Sequence, residues 1–237
     1  MNTRQKVAMT VAELMGVVVL TTAVYSMVAR TSFPLFGGLA AGVTLGLLVH
    51  TIGNVSGAHV NPAITLGLWS IRKVKTLPAI VYIACQMLGG LAAWALINYF
   101  LGSSIQSIAN KFELKVFVAE GIGALIFGFG VASAVYQKYE GTKLAFTVGG
   151  SLTIGILVAS LASNGVLNPA VALGLQSWNW AYATAPLAGS IIGMNLYAVV
   201  FTDEIKFSRP ARKVAAKAVT KKKTVAKTVK KTTKKKR

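Results

Sequence analysis

Ser56-Gly57-Ala58-His59-Val60-Asn61-Pro62-Ala63-Ile64-Thr65-Leu66-Gly67 decides how this chain folds, together with a near copy, Asn164-Gly165-Val166-Leu167-Asn168-Pro169-Ala170-Val171-Ala172-Leu173-Gly174. In each, Asn-Pro-Ala reads as the first turn of a short helix. The Asn takes the N-cap, where its side-chain oxygen accepts from free helix N–H groups, and the Pro takes N1, where a missing N–H costs nothing. The Asn NH2 group is then a spare donor pointing outward. One such tripeptide says little, because Asn-Pro opens helices in many soluble proteins, so the surroundings decide.

Those surroundings are apolar. The 237 residues are 54% hydrophobic and 13% charged, against about 25% charged for an ordinary soluble domain. Taking roughly 20 apolar residues as the requirement for crossing a bilayer, six segments qualify, at about 7–28, 34–53, 78–101, 116–136, 144–162 and 181–202. Two apolar pieces, about 62–70 and 169–177, are too short to cross, and both lie at the Asn-Pro-Ala copies. Half-helices at membrane depth are tolerated only where they are buried in protein or line a wet cavity. The span count therefore implies a cavity, and the expected fold is an all-α membrane protein of six transmembrane helices plus two re-entrant half-helices.

Charge orients the spans. With the N-terminus inside, Arg4, Lys6, Arg72, Lys73, Lys75, Lys138 and Lys143 are cytoplasmic and Arg30, Lys111 and Lys115 external, a count of 7 to 3 before any tail is added. Positive charge accumulates on the cytoplasmic side, so both termini are expected there. No cleavable signal peptide stands out, and the pattern fits a plasma or inner membrane. The single cysteine, Cys85, excludes an intrachain disulfide.

An internal repeat sets the architecture. Val11-Ala12-Glu13 recurs as Val118-Ala119-Glu120, and Glu13 precedes Asn61 by 48 residues, as Glu120 precedes Asn168. The shift between copies is 107 residues. Each half, about 7–101 and 114–202, holds three spans and one half-helix. An odd number of spans sets the second half upside down relative to the first. The half-helices then enter from opposite sides and meet near the midplane, with two spare Asn donors facing a pore.

At this point the chain resembles the major intrinsic protein family, the aquaporins and glycerol facilitators. The resemblance covers residues 7–202 and rests on the Ser56–Gly67 stretch, the Ala-Glu pairs of the first and fourth spans, Gln86 to Gly90, and Pro186 with Gly189. It implies the aquaporin-like fold, one pore per protomer and a homotetramer, with water and small neutral solutes as the conducted species. Asn61 and Asn168 become pore-centre donors, and the two half-helix N-termini add positive potential of roughly half a charge each, which disfavours cations and hydronium.

Glu13 and Glu120 are ionisable groups inside spans, where a functional role is the default expectation. One reading is a proton relay. The favoured one, supported by their equal spacing to the Asn residues and by their role in the family, is that each fixes the loop before its half-helix. His59 is read as a further loop-bonding residue rather than a metal ligand, and His50 as facing either the pore or a neighbouring helix. Gly89, Gly90, Gly189 and Gly193 read as close-packing residues, and the four tryptophans as anchors or core. No carboxylate pair, metal cluster or nucleophile with a base supports an enzyme, and no cofactor or metal is expected.

The family's spacing places a narrow filter at Ala41, Ile156, Gly165 and Val171. Many members carry an aromatic at the first of these and Arg at the last. Ala and Val here imply a wide apolar constriction without the usual Arg, admitting water and small uncharged solutes such as glycerol, urea or ammonia. Glycerol facilitators usually carry Arg-Asp after the second Asn-Pro-Ala, whereas this chain has Val171-Ala172. A solute-selective channel with little water role remains an alternative, and a secondary transporter or a membrane scaffold are lesser ones.

The channel domain is expected to end near residue 205. Residues 206–237 hold 15 of the 25 Lys and Arg and no acid, a composition expected to be a disordered basic cytoplasmic tail. Anionic membrane lipid is its favoured partner, and nonspecific binding to nucleic acid the runner-up.

Overall fold

The structure, a computed structural model, describes residues 2–107 and 111–202. The tail lies outside them. Eight helices run in order, α1 Thr3–Val28, α2 Pro34–Ser56, α3 Pro62–Ser70, α4 Thr76–Leu101, α5 Leu114–Tyr136, α6 Gly141–Ala159, α7 Pro169–Gly174 and α8 Trp180–Phe201. Six are long and apolar enough to cross a membrane, and α3 and α7 are the two half-helices. No strand occurs among the described residues.

Helix ends follow local chemistry more closely than apolar runs do. Helix α1 starts at Thr3, ahead of its apolar stretch, because Asn2 and Gln5 form a reciprocal capping box (2.9 Å each way). Polar first-turn residues propagate a helix as well as apolar ones do. Helix α6 starts at Gly141 and stops at Ala159, three residues earlier at each end than its hydrophobicity predicts. The turn that begins at Ser160 feeds the loop before α7, so apolar Leu161 and Ala162 belong to that turn rather than to the span. Helix α7 ends at Gly174, short of the predicted 177, where Gln176 turns to φ 55° and the Ser177 N–H bonds back to the Ala172 carbonyl. This is the left-handed helix stop that satisfies terminal carbonyls.

The repeat is visible in the packing. In each half the first span packs on the second and third, as α1 with α2 and α4, and as α5 with α6 and α8. The halves are tied by α2 against α6, and by each half-helix lying on the third span of the other half, α3 on α8 and α7 on α4. Large apolar side chains such as Val11, Met15, Val43, Leu47 and Ile154 face outward, while Glu13, Gln86, Asn61, Glu120, Asn168 and Ser190 are buried. Polar groups inside and hydrocarbon outside is the arrangement a bilayer requires.

Glycines set the helix separations, as small residues do in membrane bundles. A Cβ on Gly89 would strike the Leu14 carbonyl, one on Gly90 the Ala170 carbonyl, and those on Gly189 and Gly193 the backbone of α5 at Gly121 and Leu125. Gly42 and Gly149 make the corresponding contact between α2 and α6. Two neighbouring glycines on α6 give a direct test. A Cβ on Gly149 would overlap the Gly42 carbonyl, whereas one on Gly150 meets nothing within 4 Å. Gly149→Ala is expected to lower the thermal unfolding midpoint in detergent, through about 1–3 kcal/mol of overpacking. Gly150→Ala should hold or raise it, since Ala is better than Gly in a helix by about 1 kcal/mol.

Candidate functional site

Each half-helix begins as the sequence requires. Asn61 accepts from the Ala63 N–H (2.8 Å), and Asn168 from the N–H groups of Ala170 (3.0 Å) and Val171 (3.3 Å). Pro62 and Pro169 occupy the first helical positions. The amide groups are not simply spare. Asn61 Nδ2 donates to the Leu167 carbonyl (3.0 Å), and Asn168 Nδ2 to the Val60 carbonyl (2.9 Å). Each Asn therefore spends one N–H on the loop of the opposite repeat and has a second left over, and both side chains line one cavity.

The acceptors in these cross-bonds are held from behind. The Val60 N–H donates to Glu13 Oε2 (2.7 Å) and the His59 N–H to Glu13 Oε1 (3.0 Å). The Leu167 N–H donates to Glu120 Oε2 (2.7 Å) and the Val166 N–H to Glu120 Oε1 (2.9 Å). Ser56 Oγ and Ser163 Oγ complete the pattern at 2.7 and 2.8 Å. Every one of these partners is matched by the 107-residue shift. Val60 (φ 41°) and Leu167 (φ 55°) are both in the left-handed region, as are Ala58 (49°) and Gly165 (61°). Branched residues avoid that region; here the N–H is fixed by a carboxylate of the same repeat and the C=O by the Asn of the other.

The repeats differ around the two carboxylates. Glu13 gains a fourth donor, Gln86 Nε2 (2.7 Å), which also reaches Thr65 Oγ1 (2.9 Å). Thr65 Oγ1 lies 3.2 Å from His59 Nδ1 and donates to the Asn61 carbonyl (3.0 Å). In the second repeat the residues 107 on from His59 and Thr65 are Val166 and Ala172, so this polar chain has no counterpart. His59 is buried and its ring meets Tyr82 edge-on at 5.2 Å. Burial holds the imidazole below the ordinary histidine value, against the opposing pull of Glu13.

A cavity of about 370 Å³ is lined by every predicted site residue except Glu13 and Glu120. Its lining includes Val28, Thr31, Ser32, Phe33 and Pro34 at the α1–α2 connection, Ala41, Ile156, Gly165 and Val171, and Asn61, Asn168 and His59. None of Ala41, Ile156, Gly165 and Val171 offers a side-chain donor. His50 is exposed beside α5 and α6 in an outward-facing groove and is not part of the cavity wall. No tryptophan lines the cavity. Among the described residues no cluster of His, Cys, Asp or Glu could hold a metal ion.

Sequence reasoning missed Tyr82 and Tyr182. Tyr82 OH donates to the Ser56 carbonyl (2.8 Å), and Tyr182 OH accepts from the Asn164 N–H (3.0 Å). Their 100-residue separation, which Gly89 and Gly189 share, was the available signal.

Comparison with known proteins agrees with this geometry. The family profile described as "Major intrinsic protein" matches residues 1–201. The chain is 32% identical over 206 residues to the "Probable aquaporin NIP7-1" of Arabidopsis thaliana, covering 78% of this chain and 74% of that one. It is 27% identical over 224 residues to the "Aquaporin Z" of Photorhabdus laumondii, covering 81% and 97%. The structure of the aquaglyceroporin from Plasmodium falciparum superposes with a TM-score of 0.69 at 23% identity, over 82% of this chain and 96% of that one, which shows a shared fold.

The carboxylates give the test of this site. Glu120→Gln turns an NH2 group toward backbone N–H groups, and each buried donor left unpaired costs about 1–3 kcal/mol. The expected result is a lower unfolding midpoint and reduced water permeability per molecule in stopped-flow. The same direction is expected for Glu13→Gln, where the Gln86 amide can turn its oxygen to the new NH2 group and only the loop N–H groups are left short of an acceptor.

Proposed function

The chain belongs to the major intrinsic protein family and is an integral, multi-pass membrane protein, and from that premise we propose that it is a passive pore for water and at least one small uncharged solute. The observation that supports the proposal is one cavity lined by the cross-bonded Asn pair and by Ala41, Ile156, Gly165 and Val171. Asn61 and Asn168 act as the pore-centre donors. Glu13, Glu120 and His59 position the loops that present them, and the four ring residues form the selectivity filter.

Water leaving bulk solvent gives up hydrogen bonds, and the wall must return some of them. The free N–H of each Asn does so at the centre, where the two half-helix N-termini favour water oxygens and oppose cations. The ring supplies no donor and no fixed charge, so it favours small neutral solutes and leaves proton exclusion to the Asn pair. A coupled transporter would need an intramembrane ion site. Glu13 and Glu120, both inside spans, are already engaged by three or four donors each, which favours the passive reading. The protomers assemble as a tetramer with both termini cytoplasmic.

Proteoliposome stopped-flow with water, glycerol, urea and ammonia tests this reading. The wild type is expected to pass water and at least one of the three solutes, and exclusion of all three would remove the solute half of the proposal. Val171→Arg introduces a charged, narrower ring and should cut glycerol and urea flux roughly tenfold, about 1.4 kcal/mol of barrier. Unchanged selectivity would mean that Val171 is not in the filter.

A further inference from the structure

The 107-residue shift maps the cavity wall onto itself at its centre. Leu20 and Phe127, Leu45 and Leu152, and Asn61 and Asn168 are three pairs so related, and all six residues line the cavity. The pseudo-twofold relation between the repeats therefore acts about the pore itself. Positions on one side of the Asn pair therefore have sequence counterparts on the other, and the lining of the 370 Å³ cavity stops short of those that match Ala41, Ile156, Gly165 and Val171.

Applied to the outer ring, the shift gives four specific residues. Ala41 on α2 maps to Val148 on α6, and Ile156 on α6 to Val49 on α2. Gly165, in the loop before α7, maps to Ala58 in the loop before α3, and Val171 on α7 to Ile64 on α3. The backbone supports the mapping, since Ala58 and Gly165 share the left-handed conformation at φ 49° and 61°. Burial supports it as well. Val49, Ile64 and Val148 are 7%, 3% and 8% exposed, against 6%, 4% and 3% for Ile156, Val171 and Ala41.

We propose that Val49, Ala58, Ile64 and Val148 form a second ring on the far side of the Asn pair, and that this inner ring, not the outer one, sets the largest solute the pore passes. Three of its members are bulkier than their counterparts, and only Val49 for Ile156 is smaller, a net gain of three carbon atoms. Val and Ile are stiff about their first side-chain torsion, so the ring yields little to a passing solute. It has no side-chain donor, so it selects by size and by the cost of shedding water, as hydrophobic constrictions do. The outer ring, with Ala and Gly at two of four positions, is the more open of the two.

The inference rests on the reading of the chain as a solute-conducting pore, and one experiment separates the two. Wild type, Val148→Ala, Ile64→Val and Val171→Ala are reconstituted, and permeability to urea, glycerol and a four-carbon polyol is expressed relative to water. Val148→Ala and Ile64→Val should raise the ratio for the largest solutes several-fold, and Val171→Ala should raise it less. The inference is overturned if neither inner-ring variant raises the ratio, or if Val171→Ala raises it as much. Wild-type vesicles no more permeable to water and solutes than bare lipid would instead sink the channel reading itself. Monodisperse elution and the unfolding midpoint of each variant in detergent report an intact fold, and Ile64→Val, which removes a single methylene, keeps the test decisive should Val148→Ala fail to assemble.

Discussion

Two buried carboxylates hold the centre of this molecule. Glu13 and Glu120 each accept two consecutive backbone N–H groups and a serine hydroxyl from the loop that precedes a half-helix. Such charge-assisted bonds are about twice as strong as neutral ones. They support a loop conformation the sequence would not choose alone, with Val60 and Leu167 at positive φ, a strain of about 1–3 kcal/mol per residue. The strained residues turn their carbonyls toward the opposite repeat, where Asn168 and Asn61 find them.

The same bonds explain how two half-helices can stop at the middle of a membrane. A helix start leaves N–H groups unpaired, and hydrocarbon cannot satisfy them. Here each Asn side chain caps its own helix and crosses to the other loop, so the halves satisfy one another. The symmetry is not complete. The first repeat adds Gln86, Thr65 and His59 around its carboxylate, while the second places Val166 and Ala172 at the positions matching His59 and Thr65. The cavity wall therefore carries an imidazole at His59 where the matching position, Val166, is apolar.

Much of this was legible in the residues. Asn-Pro-Ala identified both half-helix starts, the span count implied a cavity, and the shared shift paired Glu13 with Asn61 and Glu120 with Asn168. The cross-repeat bonds were not legible. They join residues more than a hundred positions apart, and nothing local to Leu167 or Val60 marks a carbonyl that will be needed elsewhere. Positive φ at Val60 was hidden for a related reason, because a β-branched residue is the last place to look for it. Ser56 and Ser163 could have been found, since they obey the 107-residue shift. The ends of α6 and α7 slipped by about a turn or less, because apolar Leu161 and Ala162 read as span while the chain had already turned into the loop.

A passive pore is a passage with fixed walls rather than a site that alternates its exposure. The temperature dependence of water permeability in proteoliposomes, measured with and without Na⁺ and H⁺ gradients, addresses that claim most directly. A dependence as shallow as that of water's own viscosity, indifferent to either gradient, is the predicted result. Flux that needs a gradient, or that rises with temperature as steeply as through bare lipid, would contradict it.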